Sequence, residues 1–496
     1  MKYILNADEM KNVDSYSIHT IGIPSVVLME RAALSVTDYI TDKLLVKADR
    51  QRIICVCGSG NNGADGLAVA RQLHLKGYEV DVFLNEGRHP TEEYRIQLNI
   101  IRNLGIQCID DPDFSGYGVV VDALFGIGLS GNLEKKASSI VENINKAHSK
   151  GACVVSVDIP SGINATSGMV MESSVNADVT VTFGYTKTGQ VLYPGAVYCG
   201  RVRTADIGFA EYIGMPKNRY VYEKADITSN MPQRMPDSNK GSCGKALIIA
   251  GSDKYGGAAI LASRAAYRMG AGLVKLITHS DNRNIVLGNN MECLLDTYGC
   301  ELPCNLDRSI SWADALCIGP GLSQGDIAEK LVRRTIEDSG KKRLYDADAL
   351  NIIATENIVF EGKNIVVTPH VGEMSRMTGK SITQIKADII GTAVDYANEH
   401  NCICVLKDAR TIVTDGNDVY INISGNDGMA TGGSGDVLSG IITSLMAQGM
   451  DCFEAAKLGV YIHGLAGDEA ALKKTKYSMV AEDIVENISA VLSKYV

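Results

Sequence analysis

The sequence predicts an α/β protein of two consecutive domains, each a parallel sheet covered by helices. Three observations carry that expectation. Short apolar, β-branched runs alternate with amphipathic stretches of helix length through both halves of the chain. Several runs end in glycine, aspartate and serine, the composition of strand ends that face a ligand in open α/β sheets. At 496 residues the chain is also too long for a single hydrophobic core.

Residues 1–40 read as helices packed onto the first domain. Strands are expected at 52–57, 79–84, 118–122, 153–158 and 179–183, with helices at 65–76, 92–104 and 133–148. The segment 214–244 holds Pro216, Pro232 and Pro236 and no long apolar run. The domains are therefore drawn at 1–213 and 241–496, with a linker over 214–240. Strands then resume at 245–250, 273–278, 313–318, 343–345 and 365–367. A hairpin follows, 402–407 into 411–414 and 419–423, with Asp-Gly-Asn-Asp at 415–418 as its turn. From Gly433 onward the pattern is helical, and no internal repeat relates the halves.

Composition narrows the function classes. A net charge of −10 argues against nucleic acid as the main partner. The thirteen cysteines are odd in number and mostly apolar in setting, as in Ile-Ile-Cys-Val-Cys at 53–57. No Cys-x-x-Cys pair occurs, so structural zinc and a disulfide framework are not expected, and a reducing, cytoplasmic location is. Cys293, Cys300 and Cys304 form a loose cluster read as reduced packing or surface residues. The start lacks the apolar core of a signal peptide, and no uncharged run reaches the roughly 18 residues of a membrane span.

Three strand ends of the first half are rich in oxygen and amide groups. They are Gly58-Ser-Gly-Asn-Asn-Gly-Ala-Asp-Gly66, the stretch from Asp122 to Gly131, and Asp158-Ile-Pro-Ser-Gly162. One such corner would be an ordinary loop cap; three at successive strands indicate a site for a hard cation and a polar ligand. With Thr-Phe-Gly-Tyr-Thr-Lys at 182–187 and Tyr-Pro-Gly at 193–195, these loops resemble the NAD(P)H-hydrate epimerase family over about the first 210 residues. The resemblance implies a Rossmann-like three-layer domain that interconverts the R and S hydrates of nicotinamide cofactors. It implies that Asn61, Asn62, Gly63, Ala64 and Asp65, with Gly126, Ile127, Gly128, Leu129, Ser130, Gly131 and Asn132, hold the hydrate. Asn62, Asp122 and Ser161 would bind potassium, and Asp158 would face the reacting ring. The family usually has glycine at Ala64, whose methyl would crowd a close backbone approach or forbid a positive φ.

In the second half, Gly-Asn-Asp-Gly-Met-Ala-Thr-Gly-Gly-Ser-Gly-Asp at 425–436 runs directly into an apolar helix. Glycines at a helix start leave N–H groups open at the positive end of the dipole, where phosphate binds. Asp436 adds a carboxylate able to take a proton from a hydroxyl. Gly-Pro-Gly at 319–321, Asp-Ala-Asp-Ala-Leu-Asn at 346–351, Thr-Pro-His at 368–370 and Lys407-Asp-Ala-Arg-Thr411 supply further strand-end loops. His370 there is either structural or catalytic, and Lys407 and Arg410 are nucleotide contacts or a solvated hairpin end.

With Tyr-Ile-His-Gly-Leu-Ala-Gly-Asp at 461–468, these motifs resemble the ribokinase-like, ADP-dependent NAD(P)H-hydrate dehydratase family over 241–467. That resemblance implies hydrate contacts from Ala258, Gly321, His370 and Asp436, with Asp436 as the catalytic base. ADP, the phosphoryl donor, would lie against Lys407, Asp408, Ala409, Arg410, Thr411 and Gly435, with Mg2+. The substrates would be NADHX and NADPHX, in a homo-oligomer without nucleic-acid or membrane partners. Asp408 and Val371 depart from the family's usual glycine and proline. Two rival readings share the motifs: a small-alcohol kinase such as a hydroxymethylpyrimidine kinase, and a catalytically silent nucleotide sensor.

Overall fold

The structure, a computed structural model, describes residues 1–44, 52–85, 87, 90–111, 113–337, 340–360 and 362–496. It divides into two units, Tyr3–Lys217 and Met1–Lys2 with Asn218–Val496.

In the N-terminal unit, β1 (Lys2–Leu5) leads into α1 (Ala7–Ser15), which starts where Asn6 and Glu9 cap each other. After α2 (Ser25–Tyr39) come β2 (Ile53–Cys57), α3 (Asn61–Leu75), β3 (Val80–Leu84), α4 (Glu92–Asn103), β4 (Gln107–Ile109) and β5 (Val119–Ala123). Then follow α5 (Lys135–Ser149), β6 (Cys153–Val157), β7 (Val179–Phe183), β8 (Thr186–Lys187), α6 (Thr188–Val191), α7 (Gly195–Tyr198) and β9 (Arg201–Ala205). Seven strands form a sheet in the order β4-β3-β2-β5-β6-β7-β9, parallel throughout, while β1 pairs with β8.

Side chains alternate between two cores. Ile53, Cys55 and Cys57 join Val119 and Val121 under α2, α3 and α4, and Ile54, Val56 and Val120 face the other way with α5. These strands read as continuous apolar runs because both faces are covered. The thiols of Cys55 and Cys57 therefore share one face, and all thirteen cysteines are unpaired. The chain runs outward from β2 to β4 and then returns to β5 on the other side of β2. The carboxyl ends of β2 and β5 thus flank a topological switch point, where ligands bind in such sheets.

The segment expected to be a linker is not one. It carries β10 (Arg219–Val221), which pairs in parallel with a strand two hundred residues later, and α8 (Ala225–Asn230). Beyond it lie β11 (Lys245–Ile249), α9 (Gly256–Arg268), β12 (Leu273–His279), α10 (Arg283–Asn289), β13 (Leu294–Tyr298), α11 (Leu306–Trp312), β14 (Ala315–Ile318) and α12 (Asp326–Glu337). These lead to β15 (Lys342–Tyr345), α13 (Asp348–Thr355), β16 (Ile365–Val367), α14 (Val371–Thr378), α15 (Ile382–Ala387), α16 (Ile389–His400), β17 (Ile403–Leu406), β18 (Ile412–Thr414) and β19 (Val419–Ile421). The chain ends in α17 (Ser434–Ala447), α18 (Cys452–Lys474) and α19 (Ala481–Tyr495).

Within this unit the strand order is β13-β12-β11-β14-β15-β16-β17-β18-β19-β10, parallel except around β18. Its switch point lies between β11 and β14. Tyr220 and Tyr222, on and just after β10, pack with Tyr420 and Tyr461. The buried Lys457 ammonium donates to Tyr220 Oη at 2.9 Å. Among the described residues no helix is long and apolar enough to cross a membrane.

Candidate functional sites

The loop after β2 is forced tight against the end of β5. A Cβ at Gly58 would meet Leu124 O at 2.0 Å, and one at Gly63 would meet Gly58 O at 1.7 Å, so no larger residue fits either position. Helix α3 begins without a side-chain cap, its first turn turned toward a cavity of about 910 Å³ at the switch point. Asn61, Asn62 and Asp65 line that cavity, as do Gly126 to Asn132 and Asp158. Gly63 and Ala64 do not line it. Ala64 is helical and fully buried in the core beneath α3, so its methyl neither strains the backbone nor reaches the ligand space.

Asp122 is fully buried. Its Oδ1 accepts from Ser161 Oγ at 2.6 Å, and its Oδ2 accepts from Ser156 Oγ at 2.8 Å and Ser161 N at 2.9 Å. Burial raises its carboxyl above the ordinary range while these donors pull it back. No cationic side chain pairs with it among the described residues. Asn62 Nδ2 is buried without a partner. Asn62 lies against Gly126, which leads into the loop that Ser161 bonds at Phe125 N.

Asp158 sits at φ +66°, a region non-glycine residues rarely adopt. Its Oδ1 accepts from Lys187 Nζ at 2.5 Å, Thr182 Oγ1 at 3.1 Å and Phe183 N at 3.2 Å. Lys187 is 1% exposed and spends its other donors on Thr182 Oγ1 and Phe183 O. The lysine thus locks the carboxylate in one orientation at the cavity wall. Asp14 and Asp65 line the same cavity, and burial followed by the Asp158 charge raises both carboxyls. The sequence reading gave no role to Lys187 or Asp14. A lysine three residues beyond Gly184 has no local signature; only the fold brings it to Asp158.

In the C-terminal unit the candidate side chains stand at the carboxyl ends of β11, β14, β15, β16 and β17, around the start of α17. Gly251 N donates to Pro320 O at 2.8 Å across the switch point. A Cβ at Gly321 would lie 2.8 Å from the Ala258 methyl and 2.9 Å from Tyr255 Cβ, so Ala258 and Gly321 are neighbours. His370 caps α14: its Nδ1 accepts from Gly372 N at 2.9 Å and Glu373 N at 3.2 Å, and Glu373 returns the bond to His370 N. The usual proline at Val371 is thereby replaced without loss of the helix start.

Lys407 follows β17, its backbone bound to Pro369 O at 2.8 Å. Its ammonium donates to Asp346 Oδ1 at 2.7 Å. Burial would lower the lysine, but Asp346 and Glu373 outweigh it and the net direction is upward. Asp408 and Ala409 are exposed, Arg410 Nη1 reaches Ile423 O at 3.4 Å, and Thr411 Oγ1 reaches Asp408 O at 3.5 Å.

Helix α17 starts at Gly433, φ +91°, with no side-chain cap. Its first turn carries Ser434, Gly435 and Asp436, and Ser434 Oγ lies 3.3 Å from His463 Nε2. Burial, reinforced by Asp346, raises the Asp436 carboxyl to about 7. A base with that value is half ionised at neutral pH, where proton transfer is most efficient. The glycine-rich run is bound to α18: Gly425 N and Asn426 Nδ2 donate to Asp468 at 3.0 and 2.9 Å. At Gly464 a Cβ would meet Ser424 Oγ at 2.1 Å.

Comparison with known proteins fits both halves. Residues 25–189 match the family described as YjeF-related protein N-terminus, and 246–490 match the family described as NAD(P)H-hydrate dehydratase. The Moorella thermoacetica protein named bifunctional NAD(P)H-hydrate repair enzyme Nnr is 37% identical, covering 99% of this chain and 96% of its own. The chain belongs to the family of bifunctional NAD(P)H-hydrate repair enzymes. The Escherichia coli member is 32% identical over 98% of this chain and 93% of its own. A ribokinase-like superfamily protein from Enterococcus faecalis superposes with a TM-score of 0.51 at 27% identity, covering 58% of this chain and 99% of that one. The fold is accordingly a Rossmann-like domain followed by a ribokinase-like domain. Membership of the repair family favours the sequence reading over both rivals, the small-alcohol kinase and the silent sensor.

Proposed function

We propose that the N-terminal site epimerises R and S NADHX and NADPHX, and that the C-terminal site dehydrates the S form with ADP, releasing AMP and phosphate. In the first cavity, Asn61, Asn62, Asp65 and the loop from Gly126 to Asn132 hold the hydrate. Asp158, fixed by Lys187, faces the carbon whose configuration changes. The donors fit a potassium ion: a buried carboxylate without a cationic partner, a hydroxyl, and an amide whose half-turn would present oxygen. Asn62, Asp122 and Ser161 would hold that ion, which when bound supplies positive charge near the hydrate.

In the second site the observation that carries the reading is Asp436, a partly buried base at the uncapped start of α17. A hydroxyl on the reduced nicotinamide ring is a poor leaving group. Asp436 takes its proton as the oxygen attacks the terminal phosphoryl group of ADP, and the open N–H groups and Lys407 stabilise the charge on the transferred group. The ring nitrogen lone pair then expels phosphate, and loss of a proton from the adjacent ring carbon restores NADH or NADPH. Ala258, Gly321 and His370 border the hydrate, and Lys407 to Thr411 with Gly435 border the nucleotide. Both Asp346 oxygens are engaged, so Asp346 would not hold the magnesium ion, which when bound with the nucleotide would offset phosphate charge.

The test is turnover of separated NADHX epimers with and without ADP, followed by absorbance of the reduced ring and by free phosphate. Stoichiometric NADH and phosphate from the S form, and ADP-independent exchange between epimers, are expected. A phosphorylated product that accumulates without free phosphate means a kinase; no turnover means a sensor.

A further inference from the structure

Asp346 is given no step in the reaction above, yet it is nearly fully buried beside the start of α17. It is 1% exposed, and each oxygen is engaged, Oδ1 by Lys407 Nζ at 2.7 Å and Oδ2 by Ser439 Oγ at 2.8 Å. Ser439 lies three residues beyond Asp436 on the same helix, so Asp346 ties the lysine of one strand end to the helix that carries the base. A Cβ at Gly435 would lie 3.3 Å from Lys407 Nζ and 3.9 Å from Asp346 Oδ2, which sets cation and carboxylate against the first turn. The next residue, Ala347, is held at φ +49°, ψ −117°, a strained conformation for a residue with a side chain. A buried ion pair adds little net stability; what it does well is fix where a charge sits.

We propose that Asp346 is a positioning residue for phosphoryl transfer: it clamps the Lys407 ammonium against the first turn of α17 and keeps a negative charge beside Asp436. This rests on the reading of Asp436 as the base. Asp436 is faced by Asp346 from the loop after β15, by Asp348 at the start of α13, by Lys407 after β17 and by Cys317 of β14. Glu373 of α14 acts on Lys407 and has His370 beside it, and His463 of α18 stands behind Ser434. After burial, Asp346 is the largest influence raising the Asp436 carboxyl.

The experiment is the pH profile of ADP-dependent dehydration by the full chain carrying Asp346→Asn, with melting temperatures alongside. The kcat should fall roughly tenfold or more as Lys407 loses its anchor. The acid limb, expected near pH 7 in the wild type, should move down by about one pH unit as the neighbouring charge is removed. Asp346→Glu should return the limb to the wild-type position and recover kcat only in part.

A lowered melting temperature with an unmoved limb, or an unchanged kcat, overturns the proposal. Should the asparagine variant not fold, Asp346→Glu carries the test. A wild-type limb with reduced kcat is then expected, and a displaced limb or full kcat overturns it. Asp436→Asn run in parallel separates the failures. Retained turnover there refutes the base assignment, whereas its loss together with an unmoved limb in Asp346→Asn refutes only the positioning role.

Discussion

Replacing Asp436 by asparagine should slow the reaction and stabilise the protein. The carboxyl rises from an ordinary 3.8 to about 7 on folding, chiefly through burial and then through Asp346. The folded state therefore keeps a proton that the unfolded chain has lost between about pH 4 and 7. Stability falls as pH rises through that window and is flat above it. At 1.36 kcal/mol per tenfold change, the ionised form costs about 4 kcal/mol at most, and solvent at the partly exposed rim reduces this. For a unit of this size roughly 2 °C follows from each kcal/mol, so the gain reaches up to about 8 °C.

Scanning calorimetry of both proteins at pH 4.5 and pH 8 measures this. The asparagine variant should melt several degrees higher at pH 8 and about equally at pH 4.5, while dehydration falls by about 10² to 10⁴. His463 acts in the opposite sense. Burial lowers its imidazole to about 4, so its contribution is lost as pH falls from about 6.5 towards 4. That term is common to both proteins and cancels in their difference. Equal melting temperatures at pH 8, or the same gain at both pH values, would refute the account of Asp436 as a base held at energetic cost.

Asp122→Ala should abolish epimerisation and leave dehydration of the S epimer unchanged; equal loss of both activities would mean that Asp122 supports the fold more widely. Gly464→Ala should cut dehydration severely with little effect on epimerisation, because the new methyl drives Ser424 and the glycine-rich run off α18; separate assays of each half-reaction decide it. Asp408→Gly should tighten ADP by about 1 kcal/mol at low salt and less at high salt, since an exposed carboxylate repels diphosphate across solvent. Weakened binding with no salt dependence would instead make Asp408 a ribose acceptor.

The parts of this molecule legible in the sequence are those with a local signature. Strands buried on both faces read as unbroken apolar runs, and Asp122, Asp158 and Asp436 stand out as candidates because each ends a strand or opens a helix beside glycines. β10 was missed because Arg-Tyr-Val lies among polar residues and prolines, and its partner β19 is two hundred residues away. β13 was missed because it is half exposed, Leu-Leu-Asp-Thr-Tyr, and lacks an apolar run. Lys187 and Asp346 could not be assigned from sequence, since each acquires its meaning from a contact 29 or 61 residues distant. The concern over Ala64 dissolves because a helical position with its methyl in the core places no demand for glycine there.

The tyrosines that accompany β10 have a practical consequence for anyone wishing to excise the second half of the chain. A fragment begun at the composition boundary near 241 would lose Tyr220 and Tyr222. The backbone of β19 would then lie bare, an open template for strands of other molecules. Lys457, whose ammonium lies over the rings of Tyr220, Tyr222 and Phe453 and donates to Tyr220, would lose an acceptor and two of its three rings. Such a fragment is set up to aggregate, whatever chemistry its remaining residues could perform. A cut ahead of Asn218 keeps the strand and its aromatic packing together, so the point of severance, more than the motifs downstream of it, decides whether the freed half is soluble enough to study.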